Sequence, residues 1–267
     1  MKKPLLYLIS ALTIALTGCV SNAARDYKND KEVQSSITNQ IVEKGKETYY
    51  IELEPDIDNI KFGVHMGIPL INDNQIIVPV KTKGKPVYTF KAKVNLEDNE
   101  QTKVITSIDI GNGGYGMGVF EEYLLSTIFS KKHEKVFEEL KNSQSCVIIH
   151  RIEVSPKRFD DLETSKQMKK EFATDYEEGR FANTKEYDGL LEKYMKEKDV
   201  HTNEPYYPEV TIELTSGSKA NFNELVHYVE KTTNLPYAEY SISMYSTLNR
   251  DENYHEIVLK NRENESK

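Results

Sequence analysis

NQIIVPVKTKGKPVYTFKAKV, residues 74–94, decides the class of fold. In its second half Val87, Thr89, Lys91 and Lys93 alternate with Tyr88, Phe90, Ala92 and Val94. A two-residue period places one set on each face of a strand, so this stretch predicts a half-buried strand. The KGK at 83–85 is turn chemistry, and IIVPV before it is β-branched, so two strands joined by a hairpin are expected. Outward from there, TYYIELE (48–54), KFGVHMGIPL (61–70) and TKVITSIDI (102–110) are also rich in β-branched and aromatic residues. Hairpin-linked neighbours make such a sheet mostly antiparallel.

Helical periods flank this block. Val33, Ile37, Ile41 and Val42 predict a short amphipathic helix within 30–43. A long helix is expected from about Tyr115 to Asn142, apolar on most sides at first and then carrying Phe137 and Leu140 on a narrower stripe. CVIIHRIEV (146–154) returns to strand. Met168, Phe172 and Tyr176 align on a helix ending near Gly179, and Tyr187, Leu190, Leu191 and Tyr194 on another, with Asn183 and Glu186 as its capping box. YPEVTIEL, a helix bearing Phe222, Leu225, Val226 and Val229 and capped by Asn221 and Glu224, and AEYSISMY form a closing strand–helix–strand unit. The expectation is an α+β fold: a largely antiparallel sheet with a long central helix and further helices packed on it. Residues 31–260 read as one domain, a subdivision falling near Pro156 if anywhere, with a disordered tail over 261–267.

LISALTIALTGCV, residues 8–20, reads as an address. Lys2 and Lys3 precede an apolar run of about 13 residues, which is short of the roughly 20 that a spanning helix needs. Leu16-Thr17-Gly18-Cys19 resembles the bacterial lipobox. The resemblance implies cleavage after Gly18, diacylation of the Cys19 sulfur by fatty acyl chains such as palmitate, and a tether over 19–30; the alternative is a plain secretory signal over 1–18. Two acyl chains hold a protein at a membrane without a transmembrane helix. Loss of residues 1–18 leaves 249 residues and moves the formal charge from −8 to −10, so the chain has no electrostatic reason to seek nucleic acid. With Cys19 lipidated, Cys146 has no intramolecular disulfide partner and reads as a small buried hydrophobe. Lysine outnumbers arginine 29 to 6 and tryptophan is absent, a composition that leans towards an AT-rich Gram-positive source.

Three motifs bear on chemistry. Gly111, Asn112, Gly113, Gly114, Tyr115 and Gly116 match G-x-G-x-x-G between a strand and a helix. Export, the hairpin context and the missing acid at the end of a second strand argue against a dinucleotide site. The alternatives are a flexible connection and a backbone-lined ligand loop. Ser216 and Lys219 make S-x-x-K without the companion motifs of penicillin-interacting enzymes. The histidines make no H-E-x-x-H, and neither DIDN nor NDNQ is a calcium loop. No metal, cofactor or catalytic constellation is therefore assigned. The 17 tyrosines, in stretches such as PYYPEV and PYAEYSISMY, divide between core packing and an outward contact surface.

The lipobox, the N-terminal helix, GVHMGIPLINDNQIIVPVKTKGKPVYTF, the long central helix and the final strand–helix–strand together resemble a family of uncharacterised lipoproteins of Gram-positive bacteria that carry a domain of unknown function. The likeness covers roughly Lys31 to Arg250, with KGKPVYTF as its best local match, and implies a localisation and a fold but no catalytic residues. The functional expectation is a protein anchored through diacylglyceryl-Cys19 to the outer face of the cell membrane. There it binds an extracytoplasmic protein, peptide or glycan without catalysis. The alternatives are an envelope hydrolase, with the Gly111–Gly118 loop near its site, and a self-protection or inhibitor lipoprotein.

Overall fold

The computed structural model describes residues 29–64, 71–99, 102–110, 117–143, 147–157, 162–198, 205–214, 219–244 and 254–258. Cys19, Gly111–Gly116, Cys146 and Ser216 lie outside them. The described elements divide into two compact units, 1–119 and 120–267, and Pro156 falls inside the second.

The first unit is a helix on an antiparallel sheet. Helix α1 (Lys31–Tyr49) starts where the Asp30 carboxylate accepts from the amides of Glu32 at 2.9 Å and Val33 at 3.3 Å. It buries Ile37, Ile41, Gly45 and Tyr49, one face at four-residue spacing. The two isoleucines are fully buried and contribute about 1.5–3 kcal/mol each. The helix runs six residues past the expected end at 43. Gly45 extends the buried face instead of breaking it, and the stop is Tyr50 in the left-handed region at φ 55°. The sheet comprises β1 (Leu53–Pro55), β2 (Lys61–Val64), β3 (Ile71–Thr82), β4 (Thr89–Asn99) and β5 (Thr102–Ile110). Its order is β1-β3-β4-β5, with β2 also on β3.

Every pairing in this sheet is antiparallel. The expected alternation holds, since Ala92, Val94 and Leu96 of β4 and Ile76, Val78 and Val80 of β3 face the core. Pro79 sits mid-strand without disrupting the ladder. Its carbonyl accepts from the Asp56 amide at 2.8 Å, so its missing N–H points to the same edge. There β2 pairs only as far as Ile77 and β1 begins at Val80, leaving a gap that needs no donor.

The second unit begins within α2 (Met117–Lys132), which is followed by α3 (Glu134–Ser143), where one long helix was expected. The interruption at His133 is slight. Its amide donates to the Phe129 carbonyl at 3.1 Å, and the Phe137 amide donates to its own at 3.0 Å. Next come β6 (Val147–Glu153), α4 (Leu162–Glu177), α5 (Tyr187–Tyr194), β7 (Glu209–Leu214), α6 (Lys219–Lys231), β8 (Glu239–Met244) and β9 (Tyr254–Val258). The sheet order is β6-β7-β8-β9, with β7 and β8 parallel about the α6 crossover and the other pairs antiparallel. Together the two units are α+β, as the sequence predicts.

Three local expectations need correction. Asn183 caps a 3₁₀ turn over Thr184–Glu186, one turn ahead of α5, by accepting from the Lys185 amide at 3.2 Å. Helix α6 already begins at Lys219, so Asn221 and Glu224 lie within it and are not its entry cap. Strand β9, which the sequence reading omits, adds an antiparallel partner to β8. Gly179, at φ 76°, ends α4 in a conformation that other residues resist.

Candidate functional site

Helices α2 and α3 each turn one face towards the outer strand of the second sheet, and a groove of about 430 Å³ lies between them. From α2 it is lined by Tyr123, Ser126, Thr127 and Ser130, with Lys131 at the corner. From α3 come Glu134, Phe137, Glu138 and Lys141. Both sets follow the i, i+3, i+4, i+7 spacing of a single helical face. The opposite faces of α2 hold the core, with Phe120, Leu124, Leu125, Ile128 and Phe129 buried. That burial fixes the hydroxyl face outward.

The other wall is Ile149, His150, Arg151 and Ile152 of β6. Residues on one face of a strand alternate, so four consecutive lining residues mean the groove runs along the edge of β6 and not over a face of the sheet. His150 is the extra residue of a bulge, since Ile149 pairs with Ile212 and Arg151 with the adjacent Thr211.

Polar groups in the groove are held by local bonds. The Thr127 hydroxyl donates to the Tyr123 carbonyl and the Ser130 hydroxyl to the Ser126 carbonyl, both at 2.7 Å. Their lone pairs remain available to accept. The Ser126 hydroxyl accepts from the Val154 amide at 2.9 Å, tying α2 to the end of the strand. Lys141 bonds Glu138 at 2.7 Å, His150 meets the Glu213 carboxylate and Arg151 meets Glu153. Lys131 and Glu134, one helical turn apart, form no ion pair among the described residues. A second depression, beside Phe172 and Tyr194, holds about 30 Å³, room for a water and no more.

The Phe129 and Phe137 rings are buried, and Phe137 lines the groove. His133 packs against Phe129 and Phe137, with centroids at 4.8 and 6.3 Å, and burial aided by Lys132 pushes its imidazole down to about 4. Asp175, 5% exposed, accepts from the Tyr194 hydroxyl at 2.5 Å and from Lys193 at 3.1 Å, with Arg180 at 3.3 Å. Burial, reinforced by that carboxylate, raises the Tyr194 phenol. With both carboxylate oxygens of Asp175 engaged, this cluster is a clasp between α4 and α5. Among the described residues no group of three His, Cys, Asp or Glu side chains gathers to hold a metal. No described helix is long and apolar enough to cross a membrane.

Of the residues named in the sequence, Phe137 lines this groove, and the candidate site residues Cys19 and Gly111–Gly116 lie outside the described residues. Tyrosines divide as the alternatives stood: Tyr49, Tyr176, Tyr187, Tyr194 and Tyr240 are buried, whereas Tyr123 and Tyr237 are exposed. Tyr237 packs on Tyr207 with centroids at 4.8 Å. A signal for the groove was present in the otherwise apolar α2 segment, as the hydroxyl stripe Ser126, Thr127 and Ser130 at helical spacing.

Comparison with protein-family models gives no match, and comparison with curated proteins gives none. Among solved structures, a DUF5037 family protein from Ruminococcus gnavus, determined by crystallography at 2.55 Å, is 12% identical, over 78% of this chain and 74% of its own, with a TM-score of 0.28. At that score the likeness transfers neither a fold nor a function.

Proposed function

We propose that this chain is a Gram-positive lipoprotein, held at the outer face of the cell membrane by diacylated Cys19, that binds an extracytoplasmic partner without catalysing a reaction. The groove between the α2–α3 face and the edge of β6 is its binding site. The observation that carries the reading is the groove itself. Its volume is within the range of ligand sites, the Thr127 and Ser130 hydroxyls line it, and so do Lys131 and Glu134, which form no ion pair among the described residues. The lipobox resemblance supports the location.

The test is photo-crosslinking of the full-length protein in its native cells, with a photoreactive residue at Lys131 in the groove and at Glu192 on α5 as a control. A reproducible adduct from position 131 and not from 192 is the expected result. Equal labelling from both positions, or none from either, overturns the assignment of the site.

A further inference from the structure

The shape of the groove points to how its occupant is held, an inference that rests on the reading of this groove as the binding site. We infer that the groove accepts an extended segment of a partner polypeptide as a new strand on the outer edge of β6. Three observations carry this. Strand β6 ends the order β6-β7-β8-β9, so its outer backbone edge has no ladder partner among the described residues. Groove lining by four consecutive residues, Ile149–Ile152, brings that edge to the groove and with it a row of N–H and C=O groups. The facing wall is helical: on α2 the eight residues Tyr123 to Ser130 rise about 10 Å, equal to the roughly 10 Å from Ile149 to Ile152, and the wall continues onto α3 through Glu134, Phe137, Glu138 and Lys141.

The chemistry of the occupant follows. An added strand bonds the receiving edge through its backbone and presents alternate side chains to the opposite wall. Here that wall offers the acceptor hydroxyls of Thr127 and Ser130, then Lys131 and Glu134. A segment that places an acidic side chain against Lys131 and a hydroxyl or amide donor against Thr127 and Ser130 complements it. A glycan has no backbone ladder to offer and makes no use of the edge.

The experiment uses the full-length protein in detergent micelles and a phage-displayed library of random 12-residue peptides. The strongest binder is synthesised plain and in two N-methylated forms, one blocked at odd and one at even residues. In an added strand only alternate residues bond inward. One N-methylated form is therefore expected to bind at least tenfold more weakly and the other within about threefold of the plain peptide. The groove-filling variant Thr127→Trp is expected to lose binding. Amides 149–152 should exchange more slowly with peptide bound. Equal effects of the two N-methylated forms overturn strand addition, as does binding that Thr127→Trp leaves unchanged. A glycan adduct from position 131 in cells, with no peptide selected, overturns strand addition and leaves the groove as the site. No adduct and no selected peptide overturn both.

Discussion

Gly45 is where helix propensity and packing pull in opposite directions, and the balance is a direct test of how α1 lies on its sheet. A Cβ at this position would stand 2.5 Å from Leu53 Cγ and 2.6 Å from Cδ1, with the Ile51 carbonyl oxygen at 3.3 Å. Leu53 is 2% exposed and cannot swing into solvent. Gly45→Ala gains about 1 kcal/mol of helix propensity and loses about 3 kcal/mol to overpacking, the upper part of the usual range because the clash is with Cγ as well as the chain end. The net expectation is a loss of about 2 kcal/mol. In a Leu53→Ala background the severe clash is gone and only the 3.3 Å approach to the Ile51 carbonyl oxygen opposes the propensity gain, so the same substitution should then stabilise, by at most about 1 kcal/mol. The coupling between the two sites is then between about 2 and 3 kcal/mol, as expected for residues in contact. Tryptophan is absent, so urea melts are followed by far-UV circular dichroism, with hydrogen exchange of amides 31–49 identifying the transition. A Gly45→Ala variant that is more stable than the parent chain would refute the close approach of α1 to β1.

Three further outcomes are expected. Tyr194→Phe removes one bond to a buried carboxylate and should cost about 1.5–3 kcal/mol, and Asp175→Ala should cost more in the same urea melts because it also leaves the Tyr194 hydroxyl unsatisfied. His133 titrates near 4 when folded, below the 6.5 of an unfolded imidazole, so the unfolded chain binds more protons between those values. Its contribution is complete above pH 6.5 and is lost as pH falls towards 4, by at most about 3 kcal/mol. A His133→Phe variant should flatten that slope, and an unchanged slope would count against burial of the ring. Cys19→Ala should move the protein from the detergent phase to the aqueous phase in phase partitioning; unaltered partitioning would remove the lipid anchor.

Much of the fold was legible because it rests on local periods. The alternation in VYTFKAKV and the four-residue spacing of Ile37 and Ile41 are set by backbone geometry, and both faces are buried as read. Element ends were not legible where tertiary packing decides them. Gly45 reads as a helix breaker in isolation, yet Leu53 fills the space a side chain would take, and the helix continues to Tyr50. The same holds for β9. YHEIV is too short to announce a strand, and only its antiparallel pairing with β8 marks it as one.

The groove was hidden for a different reason: its outer wall is a strand edge, and edge position is a property of sheet order. Strand β6 pairs with β7 only after the intervening α4 and α5, so nothing near residues 147–153 marks this strand as the end of a sheet. An exposed edge is also a liability, and proteins that keep one blunt it with charges, bulges or a covering element. Here all three devices are present and all are local: Arg151 carries charge, His150 forms the bulge, and the Ser126 hydroxyl caps the exit at Val154. None of them fills the space beside Ile149–Ile152. Protection against indiscriminate pairing therefore coexists with an opening about one strand long, which is the arrangement that selective strand addition requires and that aggregation control alone does not.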